Sequence, residues 1–294
     1  MDTSRKSDVI LVREQVMIDP QGGRDLAPKK APLNPFDWHI PTLSECKRVK
    51  NKLRVVRVIY HKELSSLRNG EHLLRGWRDC FECKSFVSST ISILIYVSSG
   101  HYALRKGGND HGDISLRNLM WDPSLKVGVL TDFDLTNISG KGSEGGRRTG
   151  TIAFMALHLI KPGVKNLRRF FRHDVESLIW VLIWICLYFS GPDDIPQGME
   201  EEDVREHISI LQQWKTGDTI RAFQARASFL YLLDNRVPCK AYEELWSLTK
   251  NLGIWVKQIN FDETVESFDS RDCAEEVEVI HRRIVDIIKD YESK

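Results

Sequence analysis

HGDISLRN at residues 111–118 and DFD at residues 132–134 are two acidic motifs whose Asn118 and Asp132 lie fourteen positions apart. Between them, residues 126–131 (KVGVLT) are mostly apolar and β-branched, which is typical of a strand. A strand at this position predicts a short hairpin that returns Asp132 to the place where the first motif ends. The spacing therefore predicts that the polar side chains of both motifs meet at one point.

The residue types at this point suit phosphoryl transfer. That reaction needs a carboxylate that orients the attacking hydroxyl and accepts its proton, and oxygen ligands that hold Mg²⁺ on the nucleotide phosphates. Carboxylate and amide oxygens are suitable ligands for octahedral Mg²⁺. We therefore expect Asp113 to act as the base, and Asn118 and Asp132 to hold Mg²⁺ on ATP. The alternative, two unrelated acidic turns, does not account for both motifs at hairpin spacing.

Two further motifs complete the pattern, RTGTIAFMA at residues 148–156 and RHDVES at residues 172–177. In this order the four motifs resemble those of the fungal-type protein kinase family, whose members carry HxDxSxxN, DFD, RTGTxxFMA and RHDxES. The resemblance is specific over about residues 100–190 and weaker over about 39–83 and 211–230. It implies an α+β, protein-kinase-like fold with a small, partial β-bearing N-terminal lobe and a large helical C-terminal lobe.

The resemblance also implies an activity, that of a Ser/Thr-type protein kinase that uses ATP and Mg²⁺ and acts on a protein substrate. Asp113 would be the catalytic base, and Asn118 and Asp132 would bind the metal. Thr151 would hydrogen-bond near Asp113 as a further catalytic residue. Asp174 would brace the backbone of the catalytic loop from the start of a buried helix.

Three positions depart from the family pattern. Gly112 replaces an arginine that usually pairs with a phosphate on the activation segment, here residues 135–149, so gating by phosphorylation is not expected. Ser115 replaces a lysine that meets the γ-phosphate in many Ser/Thr kinases. Arg117 is the candidate to bring that charge to the nucleotide, and a solvated arginine is the alternative. His158 replaces the acidic residue that closes the segment, which predicts a loosened anchor there.

The nucleotide-binding half of the pattern is incomplete. No GxGxxG loop occurs in the chain, and Gly22-Gly23 lacks its spacing. Lys29 and Lys30 lie in a proline-rich stretch, so neither matches the strand lysine that kinases use. If residues 9–14 (VILVRE) form that strand, an arginine takes the place of the lysine. These features predict a truncated nucleotide-binding lobe and weak ATP binding.

The chain is expected to divide at about residue 68, with 1–68 as the partial N-terminal lobe and hinge and 69–294 as the helical catalytic lobe. β-branched residues at 53–60 predict a strand, and the short apolar run at 9–12 predicts another. Apolar residues at helical spacing predict helices in the remainder. The expected helices cover about 71–83, 174–189, 200–213, 218–234, 241–257 and 274–291.

Residues 84–99 do not fit this arrangement. In the family pattern, the helix that ends in FEC is followed closely by HYALRK, here residues 101–106, and then by the catalytic loop. The intervening stretch is apolar and β-branched, with strand rather than helix chemistry. We hypothesise that it is foreign to the fold, as a retained intron or an annotation error would be. A tolerated surface insertion is the alternative.

Composition narrows the classes of function. The chain has 41% hydrophobic and 28% charged residues, as ordinary globular proteins do, and its net charge of +1 gives no case for nucleic acid. The apolar runs at 87–97 and 178–189 are shorter than the roughly 20 residues that span a bilayer, so no membrane partner is expected. MDTSRKSD at the N-terminus lacks the apolar stretch of a secretory signal. Cys80 and Cys83 form a CxxC without the second pair that zinc needs. These features favour an intracellular protein, cytoplasmic or nuclear.

Three functions fit the sequence. The first is an ATP-dependent Ser/Thr-type protein kinase. The second is a pseudokinase, a binding scaffold without turnover, which the missing glycine-rich loop and lysine favour and the complete set of Asp113, Asn118 and Asp132 disfavours. The third is a small-molecule phosphotransferase, because HGDxxxxN also occurs in aminoglycoside and choline kinase-like enzymes; the GT and FMA elements disfavour it. Whether the chain turns over substrate, which substrate it takes and its oligomeric state stay open at this point.

Overall fold

The structure is a computed structural model, and the chain divides into two compact units, Met1–Lys62 and Glu63–Lys294. The residues that it describes are 11–17, 44–49, 52–59, 62–82, 102, 109–123, 125–132, 137–138, 150–163, 169–189, 192–262 and 273–294. Several predictions lie outside these residues: those for the segment 84–99, for most of the activation segment, and for Gly22, Gly23, Lys29 and Lys30.

The smaller unit contains an antiparallel sheet in the order β1-β3-β2. Its strands are β1 (Leu11–Met17), β2 (Ser44–Val49) and β3 (Lys52–Ile59). β3 confirms the strand expected at 53–60, and β1 begins inside the apolar run at 9–12. The sequence does not predict β2, because SECKRV is mostly polar and has weak strand propensity.

The larger unit is mostly helical, as the sequence predicts. Its helices are α1 (Gly70–Glu82), α2 (Leu157–Ile160), α3 (Phe171–Leu187), α4 (Glu201–Trp214), α5 (Thr219–Tyr231), α6 (Trp246–Phe261) and α7 (Cys273–Glu292). α6 begins at Trp246 rather than near 241, because Lys240–Tyr242 forms a separate 3-10 turn. Among the described helices, none combines the length and the apolar character needed to cross a membrane.

Short strands precede and follow the catalytic loop in the chain. β4 (Lys62–Glu63), β6 (Leu119–Asp122) and β7 (Val127–Leu130) form a sheet in the order β4-β6-β7. β5 (Asn109–Asp110) pairs with β8 (Asn137–Ile138). β7 confirms the strand expected at 126–131. The helices and these small sheets together give the α+β architecture that the sequence predicts.

Helix α3 forms the centre of the larger unit. Every residue of α3 is buried, as the apolar run at 178–187 predicts for that part of the helix. The carbonyl of Leu178 in α3 accepts a hydrogen bond of 2.8 Å from the indole N–H of Trp77 in α1. Trp180 lies edge-on against Trp214 of α4, with ring centroids 5.0 Å apart. Contacts on several sides therefore fix the position of α3.

Two glycines let helix α1 lie directly on β7. A Cβ on Gly128 would overlap the carbonyl oxygen of Gly76, and a Cβ on Gly76 would overlap the Leu64 side chain and press on Trp121. The N–H of Gly128 donates to the Asp79 carboxylate over 3.1 Å. The close approach of the two backbones explains why both positions are glycine, and it fixes the β6–β7 hairpin against the core.

The two flanks of the atypical segment 84–99 meet on one side chain. Phe81 and Tyr102 both stack on the ring of His281 in α7, at centroid distances of 5.4 and 3.7 Å. The Tyr102 hydroxyl also donates to Glu278 on the same helix. Residues 81 and 102 are therefore neighbours in the fold, which is the arrangement that a chain lacking 84–99 would need. That the segment is foreign to the fold stays a prediction.

Candidate active site

The β6–β7 hairpin brings the two acidic motifs together. Leu119 pairs with Leu130 across the hairpin. One residue further on, the N–H and the hydroxyl of Thr131 both donate to the carbonyl of Asn118, over 2.9 and 3.3 Å. Asp132 follows Thr131 directly, so Asn118 and Asp132 lie at the same end of the hairpin. This is the arrangement that the spacing of the motifs predicts.

Asn118 folds the catalytic loop back on itself. Its side-chain N–H donates to the carbonyl of Asp113 over 2.7 Å, and its backbone N–H donates to the carbonyl of Ser115 over 3.1 Å. The hydrogen bond fixes the orientation of the side-chain amide, and with it Oδ1, which is the atom that an asparagine offers to a cation. The base candidate and the metal-ligand candidate of the loop are thus joined by a direct hydrogen bond.

His111 links the catalytic loop to the strand that carries the DFD motif. Its ring is fully buried. Nδ1 accepts the N–H of Asp113 over 3.3 Å, so Nε2 carries the proton and donates to the carbonyl of Thr131 over 2.9 Å. Sequence reasoning assigned no role to His111. The signal available was its position two residues before the acidic residue of the loop.

Asp174 braces the catalytic loop from the first turn of α3, as the resemblance implies. Its Oδ2 accepts the backbone N–H groups of His111 and Gly112 over 3.1 and 3.3 Å. Its Oδ1 accepts Nε and Nη2 of Arg169 over 3.0 and 2.8 Å. The carboxylate is completely buried, so the ion pair with Arg169 compensates its charge. The sequence did not point to Arg169.

Thr151 holds the carboxylate of Asp113. The backbone N–H and the hydroxyl of Thr151 both donate to Asp113 Oδ1, over 2.8 and 2.9 Å. The preceding Gly150 has a φ of 123°, and a Cβ there would come within 3.1 Å of the Gly112 carbonyl. Only glycine adopts that backbone conformation readily, so the RTGT motif permits the contact between Thr151 and Asp113 that the resemblance implies.

Asp132 has an unusual backbone. Its φ is 62°, in the left-handed region, and its side chain is exposed. Non-glycine residues in this region carry a steric penalty, which Asp tolerates better than most because its short polar side chain can bond locally. Such conformations cluster at functional sites, where surrounding structure holds them. The backbone of Asp132 therefore marks it as a constrained position independently of its motif.

The departures from the family pattern have different structural settings. Gly112 has a φ of 87°, which glycine adopts without a steric penalty. Ser115 is buried in the turn of the loop. Arg117 is exposed, and within the described part of the chain its side chain makes no hydrogen bond or ion pair. The described contacts therefore do not tie Arg117 to the other candidates, and its contact with a nucleotide stays a prediction.

Residues after Thr151 are anchored on α3 and α5. The N–H of Leu157 donates to Glu176 Oε1 over 2.7 Å. Nη1 of Arg226 donates to the carbonyl of Met155 over 2.6 Å. His158 itself joins the anchor, with its Nδ1 3.1 Å from His173 Nε2. The loosened anchor expected from His158 is therefore not what these contacts show, because charged and polar residues of α3 and α5 hold the segment.

The anchor contains two buried charged groups. Burial raises the pKa of the Glu176 carboxyl, against hydrogen bonds from Leu157, Trp180 and Asn260. Burial lowers the pKa of the Arg226 guanidinium to about 10, against the charge of Glu176. Nε and Nη2 of Arg226 have no hydrogen-bond partner among the described residues. The guanidinium is thus only partly satisfied, and the Met155 carbonyl is its one hydrogen-bond acceptor in that part of the chain.

A pair of histidines completes the anchor. The backbone N–H of Phe170 donates to Nδ1 of His173 over 3.1 Å. Nε2 of His173 therefore carries the proton and donates to Nδ1 of His158. Burial lowers the pKa of His173 well below its ordinary value, and the positive charge of Arg172 adds to that shift. The fold consequently holds His173 in its neutral form.

Comparison with known proteins agrees with this geometry. A search of curated proteins found no match to the chain. A family model described as Fungal protein kinase matches residues 49–186. That range includes the catalytic loop, the DFD and RTGTIAFMA motifs and all of α3 except Leu187, and the contacts of these segments form the site. Over residues 49–186, the chain is therefore similar to the fungal protein kinase family.

Proposed function

We propose that this chain is an ATP- and Mg²⁺-dependent protein kinase of the Ser/Thr type. The observation that supports the proposal most is the set of hydrogen bonds joining Asp113 to Asn118 and Thr151. In phosphoryl transfer a protein contributes mainly positioning and electrostatic stabilisation. Thr151 fixes the carboxylate of Asp113 through Oδ1, and Asn118 fixes its backbone carbonyl, which is the kind of positioning that the reaction requires.

Asp113 is the proposed base. Both hydrogen bonds from Thr151 reach Oδ1 of Asp113, which leaves Oδ2 for the hydroxyl of a Ser or Thr substrate. As the hydroxyl oxygen bonds to the γ-phosphorus of ATP, the bond from that phosphorus to the ADP oxygen breaks. The hydroxyl proton passes to Asp113. Thr151 acts through Asp113 by fixing the orientation of its carboxylate.

Asn118 and Asp132 are the proposed ligands of Mg²⁺. Their Oδ1 and carboxylate oxygens are donors of the kind that Mg²⁺ prefers. The engaged amide nitrogen of Asn118 and the constrained backbone of Asp132 both favour a preorganised pair of ligands. Mg²⁺ bound there would neutralise charge on the phosphate oxygens. Arg117, whose side chain is exposed, is the proposed additional contact to the nucleotide.

Of the two alternatives, one has support of its own and the other is disfavoured. A binding scaffold without turnover is favoured by the absence of GxGxxG and of a matching strand lysine from the sequence. Each missing charge-assisted contact would weaken ATP binding by roughly 1.5–3 kcal/mol, so we expect slow turnover at best. A small-molecule phosphotransferase is disfavoured by the contact of Thr151 with Asp113, since the GT element is typical of protein kinases.

The test is transfer of radiolabelled phosphate from ATP to a basic protein substrate, with and without Mg²⁺. Asp113→Ala should abolish the signal while circular dichroism and the melting temperature stay close to those of the parent. Asp286→Ala, which removes an exposed carboxylate of α7, is the matched control and should retain the signal. Equal signals from the parent and Asp113→Ala would contradict the proposal and favour the scaffold.

A further inference from the structure

A surface groove lies between the start of α4 and the segment that follows α5, away from the residues of the candidate active site. Its volume is about 510 Å³, which is within the usual range of about 300–1,000 Å³ for binding pockets. One wall comes from residues 196–199 and the first turns of α4. The other wall comes from Leu232 and residues 235–237. We call this feature the α4 groove.

The groove carries apolar side chains that the core does not use. Leu232 and Val237 line it and are 45% and 43% exposed. The next residue, Leu233, is 2% exposed and belongs to the core. Leu233 therefore supplies the core contact at this turn, and Leu232 does not. Pro196 and Met199 add partly buried apolar surface on the opposite wall. Apolar surface gathered in a concave feature is typical of an interaction site.

The rim of the groove is acidic. Asp203 and Glu206 line the groove, and the adjoining start of α4 carries exposed carboxylates at Glu200–Glu202 and one exposed guanidinium at Arg205. Arg236 lines the groove, but its Nη1 is paired with Glu206 over 3.2 Å. His207 adds no charge, because its Nε2–H donates to the carbonyl of Leu187 over 2.7 Å and burial lowers its pKa. The surface around the apolar walls is therefore net negative.

Carboxylates at this place also stabilise α4, since negative charge is favourable at a helix N-terminus. That role accounts for the first turn. It does not account for exposed Leu232 and Val237 on the facing wall. Apolar walls beneath a negative rim are complementary to a segment that presents apolar side chains together with positive ones.

We propose that the α4 groove docks a segment of a partner protein in which basic and apolar side chains alternate. The apolar side chains lie between Met199 and the pair Leu232 and Val237, and the basic ones reach the carboxylates of Asp203 and the α4 start. Docking at this groove does not depend on phosphate transfer. It holds whether the chain is a kinase or a scaffold, so its failure and that of the proposed function are separate results.

The first measurement uses fluorescence anisotropy of the full chain with a labelled peptide that alternates Arg and Leu. Two matched probes replace either the leucines with Ser or the arginines with Glu. The Arg/Leu peptide should bind at least about tenfold more tightly than either, because each matched probe lacks one of the two contact types. Binding of the Glu/Leu peptide with equal affinity would overturn the proposal.

The second measurement places the peptide on the groove. Leu232→Ser with Val237→Ser should weaken binding of the Arg/Leu peptide by about tenfold or more, as loss of buried anchors does. Ile220→Ser with Ile254→Ser is the matched control, because these side chains are 49% and 39% exposed and lie outside the groove. Equal weakening in both double variants would overturn the proposal.

The third measurement separates a partner segment from a second copy of the chain. In sedimentation, the parent and the double variant Leu232→Ser with Val237→Ser should show the same state of association. If those changes abolish a dimer, the groove is an interface between copies and the proposal fails. Asp203→Asn should weaken the Arg/Leu peptide and reduce the salt dependence of its binding, whereas Asp286→Asn should leave both unchanged.

Discussion

The two ends of the β6–β7 hairpin differ in where their polar groups find partners. At the turn end, Asp122 accepts the N–H of Leu125 over 3.0 Å, a contact made within three residues. At the loop end, His111 reaches Thr131 and Asp174, twenty and sixty-three residues away. The turn end is thus built by local chemistry. The loop end, which holds the candidate active site, depends on the whole larger unit.

Removing one buried carboxylate from each end should give the largest contrast in stability. Asp174→Ala leaves the N–H groups of His111 and Gly112 and the guanidinium of Arg169 without their acceptor. We expect a loss of about 3–5 kcal/mol in the free energy of unfolding. Asp122→Ala, at a position that is also buried, should lose less, with about 1 kcal/mol coming from its hydrogen bond to Leu125.

Chemical denaturation of both variants measures this contrast. Asp174→Asn is a useful third variant, because it keeps an acceptor for the two N–H groups and loses the ion pair with Arg169. Its loss should fall between the other two. Equal losses for Asp174→Ala and Asp122→Ala would mean that the loop end is no more dependent on distant contacts than the turn end.

The body of the hairpin, which connects the two ends, is fixed by the contact of Gly128 with Gly76. Gly128→Ala forces a methyl group into the Gly76 carbonyl, and overpacking of this kind costs about 1–3 kcal/mol. Gly217→Ala is the control, since nothing lies within 4 Å of a Cβ there. Thermal melts should show a lower midpoint for Gly128→Ala alone. A midpoint equal to that of the control would contradict the close approach of α1.

The free energy of unfolding should fall at acid pH because of His173, the residue beside Asp174. Burial lowers the pKa of His173 well below 6.5. Just below pH 6.5, His173 is therefore protonated in the unfolded chain and still neutral in the folded chain. Stability from this group is complete above pH 6.5 and is lost as the pH falls, by up to about 1.4 kcal/mol per pH unit. Burial also lowers the pKa of His207, so His207 contributes to the pH dependence in the same direction.

The free energy of unfolding between pH 7 and 5.5 measures this slope. His173→Gln and His207→Gln should each reduce it. Glu176 acts in the opposite sense, because burial raises its pKa, and comparing each variant with the parent cancels that contribution. Arg169, Arg172, His158 and Asp174 surround His173 and are unchanged in the comparison. Unaltered slopes in both variants would show that neither buried imidazole carries the pH dependence.

The parts of the fold that the sequence predicts are those encoded by local pattern. The strand β7 and the buried helix α3 follow from the apolar character of KVGVLT and LIWVLIWICL. The meeting of Asn118 and Asp132 follows from hairpin spacing, and the contact of Thr151 with Asp113 follows from the family resemblance. In each case a short stretch carries the whole signal.

The sequence does not predict contacts between residues that are far apart in the chain, or contacts in which one residue pairs with one of several similar residues. Nothing in the spacing selects Arg169, among the arginines near it, as the partner of Asp174. Gly76 and Gly128 are fifty-two positions apart, and their contact exists only once α1 packs on β7. The exposed pair Leu232 and Val237 resembles any other apolar residues until the fold leaves them outside the core. These features arise from tertiary packing, which periodicity does not encode.

The smallest effect is expected at two residues with a left-handed backbone, one at each end of the β6–β7 hairpin. They are Lys126, with a φ of 54°, and Asp132, with a φ of 62°. Both are exposed, and glycine relieves the steric penalty of this region at either position. Part of that gain is offset by the greater entropy of glycine in the unfolded chain. We expect each of Lys126→Gly and Asp132→Gly to change stability by less than about 1 kcal/mol, with no loss.

The difference between them should lie in function, because only Asp132 contributes a candidate ligand of Mg²⁺. Lys126→Gly should keep the Mg²⁺-dependent part of ATP binding measured by calorimetry, and Asp132→Gly should lose it while remaining as stable as the control. Loss of stability in Asp132→Gly alone would show that the carboxylate serves the fold, whereas unchanged Mg²⁺-dependent binding would remove Asp132 from the proposed metal site.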